Sequence, residues 1–235
     1  MIRLYRLPQR ALYNRRIPKN KFYKHLAANT KLKNLFIEQV ENIIWKYKLA
    51  KETINIDPTP EIQEIQIFEI HLKQKTLSLE ILESIDRAIP YPILYVLLYQ
   101  DEGKLIIAYK KRNKTNEDRC VVKSYYESSW QPVSEIVIDL PSGLNLNAVY
   151  EGYVRRLLPV QADKDEALEV TVERHMEIER LKREISRLEK KIRSEKQFNR
   201  KVEYNLELQQ KRRELSQLVN KYEEDGHGEV EDAIF

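Results

Sequence analysis

The chain has 235 residues, 42% hydrophobic and 33% charged, with a formal net charge of +4. That length holds one sizeable core and an appendage; five Gly argue against a Gly-rich phosphate loop, and a single Cys, Cys120, rules out an internal disulfide and fits a reducing compartment. With no secretory signal and no apolar run long enough to span a bilayer, a cytoplasmic protein with no membrane partner is expected.

The charge is unevenly placed. Ten Lys and Arg fall within residues 1–37 and no Asp or Glu precedes Glu38, whereas the remainder carries 31 basic against 37 acidic residues, a net of −6. Such asymmetry points to an acidic partner, DNA first among them. Residues 1–19 read as a basic N-terminal arm of little periodicity. The candidate nucleic-acid contacts are Arg15, Arg16, Lys19, Lys21 and Lys24, the densest basic patch. Tyr5, Tyr13 and Tyr23 interleave with these cations, a mixture that grips phosphate and stacks on bases; the alternative is that the rings pack the arm onto the core.

An α+β domain is expected over 20–160. A short helix near Asn20 to Ala28 follows Pro18, and a second runs from Thr30 to Leu49 on the stripe Leu32, Leu35, Phe36, Val40, Ile43, Ile44 and Tyr47. Thr53 to Ile56 reads as a short strand, stopped by Asp57-Pro58-Thr59-Pro60. Ile62 to Lys73 alternates, with Gln66, Phe68, Ile70 and Leu72 on one face and Ile65, Ile67, Glu69, His71 and Lys73 on the other. Ser78 to Ile89 is a helix with Ile81, Leu82, Ile85 and Ile89 inward, ended by Pro90 and Pro92.

Pro92 to Gln100, almost wholly apolar, is expected as a central strand turning at Asp101-Glu102-Gly103 into a strand over Lys104 to Lys111. A polar loop (Arg112 to Asp118), a strand (Arg119 to Glu127), an edge strand (Glu135 to Leu140) and a helix (Asn145 to Leu158) complete the domain. This order implies helices on one face of a mostly antiparallel sheet, with the Ile62 strand, the Ser78 helix and the Pro92 strand forming a parallel βαβ unit if the crossover closes that way.

Alternation places Glu69, His71 and Lys73 on one strand face, and Asp57 lies just upstream. Carboxylates that hold Mg²⁺ and a lysine that steadies the attacking water are the equipment of metal-dependent nucleases. Asp57, Glu69 and Lys73 are therefore the catalytic candidates of that reading, and Mg²⁺ its only cofactor. Nucleases of the PD-(D/E)xK type carry an acid two residues before the lysine, where this chain has His71; the competing account is a solvated, salt-bridged strand face. His71 has no ligand spacing to His25 or His175, and no metal site is expected.

Pro159 closes the domain. Residues 163–225 hold 16 basic and 16 acidic residues and neither Gly nor Pro. Ile178, Leu181, Ile185, Leu188 and Ile192 recur at steps of three, four, three and four, a coiled-coil seam and the expected partner-binding stripe. Beyond a polar interruption from Ser194 to Lys201, around Phe198, come Tyr204, Leu208, Leu215, Leu218 and Tyr222. Two stripes with a break imply an antiparallel helical hairpin over 163–225, with one long dimerising helix as the rival. Residues 226–235 read as an acidic, disordered tail.

Several blocks carry a resemblance: Arg16-Ile17-Pro18-Lys19-Asn20-Lys21-Phe22-Tyr23, Ile85-Asp86-Arg87-Ala88-Ile89-Pro90-Tyr91, Leu144-Asn145-Leu146-Asn147-Ala148-Val149-Tyr150-Glu151, and a tail over Glu195 to Glu203. In order and spacing the chain resembles a bacterial family, domain of unknown function 4391. The resemblance brings no catalytic residues; it implies genes beside SNF2-type helicases and site-specific DNA methyltransferases, in restriction or antiphage loci. The expectation is a non-enzymatic accessory or adaptor subunit of such a DNA-modification, restriction or defence complex. It would touch DNA phosphates with its N-terminus and recruit a helicase, a methyltransferase or a second copy through the coil. A Mg²⁺-dependent nuclease and a purely protein-binding module are the alternatives.

Overall fold

The structure is a computed structural model and describes residues 4–24, 30–112, 120–159 and 166–224. The chain divides into two units, Met1–Pro159 and Val160–Phe235.

The first unit is α+β. Its main sheet runs β2 (Leu12–Ile17), β3 (Val40–Leu49), β4 (Ile65–Leu72), β5 (Ile93–Tyr99), β6 (Glu102–Arg112), β7 (Cys120–Glu127), with β8 (Gln131–Pro132) pairing β6. A separate parallel pair joins β1 (Tyr5–Arg6) to β9 (Ile138–Asp139). All neighbours in the main sheet are antiparallel except β4 and β5, which are parallel and linked by α4 (Leu79–Ala88), so the crossover unit closes as expected. Gln100, at φ 52, takes the left-handed position in the two-residue turn between β5 and β6.

Phe68, Ile70 and Leu72 of β4 join Tyr95 and Leu97 of β5 in one buried cluster with Ile81, Leu82 and Ile85 of α4, Phe22 of α1 (Asn20–Lys24) and Phe36 of α2 (Thr30–Gln39). The alternate residues Ile65, Ile67, Leu94, Val96 and Ile107 are just as buried but stand outside that cluster. Both faces are therefore covered, not one. α5 (Leu146–Leu157) lies against β6 and β7, and its Tyr150 hydroxyl donates to the Ala108 carbonyl at 2.7 Å and accepts from the Lys110 N–H at 2.8 Å. Asn145 caps α5 by accepting from the Ala148 N–H at 2.9 Å.

Three segments depart from the sequence expectation. The helix expected over Thr30 to Leu49 stops at Gln39, and Val40–Leu49 is β3. The stripe at steps of three and four fits a helix, but the segment is rich in Val, Ile, Trp and Tyr and finds ladder partners on both sides in β2 and β4. The supposed arm contains β1 and the edge strand β2; only Leu12 and Ile17 at the ends of β2 are apolar and partly buried, so Asn14, Arg15 and Arg16 hide its alternation. Thr53 to Ile56, expected as a strand, is half taken up by the end of the short helix α3 (Lys51–Ile54), with Asn55 its left-handed C-cap. There the Thr53 hydroxyl accepts from the Ala50 N–H at 2.9 Å and donates to the Lys48 carbonyl at 2.7 Å.

The second unit is a helical hairpin of α6 (Leu168–Ser194) and α7 (Phe198–Glu224). Lys211 lies 3.4 Å from Glu184, Arg212 2.8 Å from Glu189, and Lys191 over the Tyr204 ring, which makes the helices antiparallel. Neither Gly nor Pro makes the turn. Glu195 adopts an extended conformation and its carboxylate accepts from the N–H groups of Lys196 and Gln197, satisfying backbone donors the reversal exposes. Among the described residues no helix is long and apolar enough to cross a membrane. The loop expected after Arg112 and the tail expected over 226–235 lie outside the described residues.

Candidate functional site

The N-terminal cations divide into exposed and engaged groups. Arg15 and Arg16 are exposed on β2, which pairs only with β3 among the described residues, and Lys21 is exposed on α1. The Arg15 guanidinium stands 5.1 Å from the centre of the Tyr13 ring, which in turn packs 4.2 Å from Trp45. Lys24 ends α1, and its side chain lies outside the described residues.

Lys19 behaves differently. Its ammonium donates to the Val40 carbonyl at 2.6 Å, and that of Lys73 to the Ile37 carbonyl at 2.8 Å, so two cations meet carbonyls at the C-terminal end of α2, where the helix dipole favours positive charge. Partial burial, and then the charges of Lys73 and Arg16, lower the pKa of Lys19; Glu41 offsets this only in part. Lys73, just beyond β4, thus joins Arg16 and Lys19 in one positive focus near β2, which pairs only with β3 among the described residues.

The nuclease candidates do not gather. Asp57 pairs with Lys51 at 2.5 Å and is exposed, Lys73 turns to α2, and Glu69 is engaged elsewhere. Glu69 is 5% exposed on β4. The Tyr5 hydroxyl donates to its Oε1 at 2.7 Å, Lys46 Nζ lies 3.3 Å from Oε2, and His71 Nε2 lies 3.7 Å from the same oxygen. Lys46 is the extra residue of a β-bulge, between Trp45 opposite Phe68 and Tyr47 opposite Ile67, and the bulge brings the ammonium to the carboxylate. Burial drives the Glu69 carboxyl upward; the His71 and Tyr5 contacts and the Lys46 charge outweigh it, and Glu69 titrates below the ordinary carboxylate value. Burial, and then the Glu69 charge, push the Tyr5 phenol well up. The arrangement holds an ionised carboxylate by one hydrogen bond from Tyr5 and an ion pair with Lys46, with His71 nearby, and fastens β1 to the sheet. Among the described residues no group of three His, Cys, Asp or Glu is placed to hold a metal ion.

A second buried polar group lies on the α4 side. Asp86 and Lys110, with side chains 0% and 1% exposed, pair at 2.8 Å; Lys110 also donates to the carbonyls of Ile89 at 2.8 Å and Tyr91 at 2.7 Å, just beyond α4. The Tyr125 hydroxyl donates to Asp86 Oδ2 at 2.6 Å. Asp86 and Tyr125 line an open groove of about 590 Å³ between α4 and β7.

In the hairpin, Ile178, Leu181 and Leu188 of the predicted seam are buried and Ile185 and Ile192 half-buried, with Leu208 of α7 buried as well. Sequence reasoning names Tyr5 only as one of the rings beside the N-terminal cations, not as a partner of Glu69, and misses Lys46, because the periodicity marks β1 as arm and β3 as helix. Asp86 does carry a signal, sitting one turn from Leu82 on the inward face of α4; Lys110 does not, since it follows the apolar run Leu105–Tyr109 of β6 and opens the basic run Lys110-Lys111-Arg112.

The sequence profile of the family described as Domain of unknown function (DUF4391) matches residues 6–215, and the chain belongs to that family. No curated protein and no solved structure matches the chain.

Proposed function

We propose that this member of the family is a non-enzymatic, cytoplasmic accessory subunit of a DNA-modification, restriction or antiphage defence system. It holds nucleic-acid phosphates on its basic face and a protein partner, of helicase or methyltransferase type, on its helical hairpin. The observation that carries the reading is the exposure of Arg15, Arg16 and Lys21 in one N-terminal segment, beside the Lys19 and Lys73 ammonium groups that both sit at the C-terminal end of α2. Such concentrated positive charge at a sheet edge is relieved by phosphate.

The test is a salt series of DNA-duplex binding by fluorescence anisotropy. Replacing Arg15, Arg16 and Lys21 by Ala lowers the slope of log K against log salt by about 0.9 for each phosphate no longer neutralised. Lys19 is left intact because its loss would uncap α2. An unchanged slope removes the nucleic-acid role. Incubating the same duplex with Mg²⁺ separates the nuclease reading: no cutting is expected, and cutting that Glu69→Gln abolishes would replace this proposal.

A further inference from the structure

The charge of the hairpin balances over its length but not along it. From Arg187 to Lys201 stand seven Lys and Arg against only Glu189 and Glu195, a net of +5, while the described residues on either side, 166–186 and 202–224, carry eight basic against eleven acidic residues. This segment comprises the end of α6, the turn and the start of α7, so antiparallel packing collects the excess at the tip. Arg187, Lys190, Arg193, Lys196 and Arg200 are exposed and form no ion pair among the described residues. Glu189 is spent on Arg212, and Glu195 on the turn's own N–H groups.

The same tip carries apolar surface. Phe198 is 77%, Val202 43% and Leu206 64% exposed, and steps of four set them along one stripe of α7, whereas Tyr204 and Leu208 belong to the stripe turned toward α6. Scattered exposed apolar residues are ordinary. Three in line on a helix, flanked by unpaired cations, are the pattern of a surface that receives another helix.

We propose that the hairpin tip docks an acidic amphipathic helix of a partner protein, its apolar face on Phe198, Val202 and Leu206 and its carboxylates on the surrounding Lys and Arg. The inference rests on the accessory-subunit reading and places the partner contact of that subunit. Charge complementarity selects this occupant. A second copy brings another tip of +5, so symmetric tip-to-tip pairing sets like charges against each other. A nucleic acid satisfies the cations but leaves Val202 and Leu206 uncovered.

The experiment uses the full chain and a synthetic, labelled acidic amphipathic peptide with Leu at the a and d heptad positions and Glu on the flanks; the control is a scrambled peptide of the same composition. The amphipathic peptide binds, high salt weakens it, and Leu206→Glu or Phe198→Ser weakens it about tenfold or more. The Arg15, Arg16, Lys21 triple Ala variant leaves it unchanged, so failure of the tip and failure of the N-terminal nucleic-acid face are read separately. Both tip substitutions fall on exposed side chains, and circular dichroism verifies that the helices persist. Equal binding of the scrambled peptide, or unchanged affinity in Leu206→Glu, overturns the proposal. So does DNA binding that Phe198→Ser weakens while the peptide does not bind, or a wild-type dimer in sedimentation that Leu206→Glu converts to monomer.

Discussion

Replacing Lys110 by Met removes the ammonium that neutralises Asp86 inside the first unit. The carboxylate keeps the Tyr125 hydroxyl, but the carbonyls of Ile89 and Tyr91 lose their donor. Breaking a fully buried ion pair from one side costs about 3–5 kcal/mol, and each stripped carbonyl adds about 1 kcal/mol. Against a total stability on the order of 5–15 kcal/mol, Lys110→Met brings the unit close to unfolding at neutral pH.

Removing both charges, with Asp86→Leu beside Lys110→Met, recovers most of the stability because no buried charge remains uncompensated. Urea denaturation followed by the fluorescence of Trp45 and Trp130, both in this unit, measures both variants against wild type. A destabilisation below about 1 kcal/mol for Lys110→Met at pH 7, or a double variant no more stable than the single one, refutes the reasoning.

Two further outcomes are expected. Glu69 titrates lower in the folded than in the unfolded chain, so its contribution is complete above the ordinary carboxylate range and is lost as the pH falls through the folded pKa; Glu69→Gln flattens the acid side of the stability profile, and a profile identical to wild type would show that the Tyr5, His71 and Lys46 contacts carry no net charge stabilisation. Gly152→Ala in the interior of a helix normally gains about 1 kcal/mol, but a Cβ on Gly152 of α5 meets the Pro141 ring at 2.5 Å, so the substitution destabilises by about 1–3 kcal/mol, and a raised Tm would contradict that packing.

What could be read in advance follows the range of the forces involved. β4, α4, β5, β6 and α5 were legible because each has an unambiguous apolar period and a stop nearby: Pro90 after α4, and after β5 a turn read at Asp101-Glu102-Gly103 that the structure makes with Gln100 and Asp101. β3 was not, since Val40, Ile43, Ile44 and Tyr47 satisfy a helix period as well as a pleat, and the choice is made by ladders to β2 and β4. The face shared by Glu69 and His71 was legible from alternation alone. Its partners Tyr5 and Lys46 were not, because one arrives from the N-terminal strand pair and the other through a bulge.

The sequence by itself determined the local periods, the membership of a family, the concentration of positive charge before Glu38 and the two stripes of the hairpin, because these depend on residues within a few turns or strand steps of one another. Only the tertiary structure decided where those charges act. Chain reversal and strand pairing draw together groups far apart in sequence: Lys19 and Lys73 at the end of α2, Lys110 onto Asp86, and the cations on both sides of Glu195 into one tip. Electrostatic energy depends on distance through space and on exclusion of water, and neither is set by spacing along the chain.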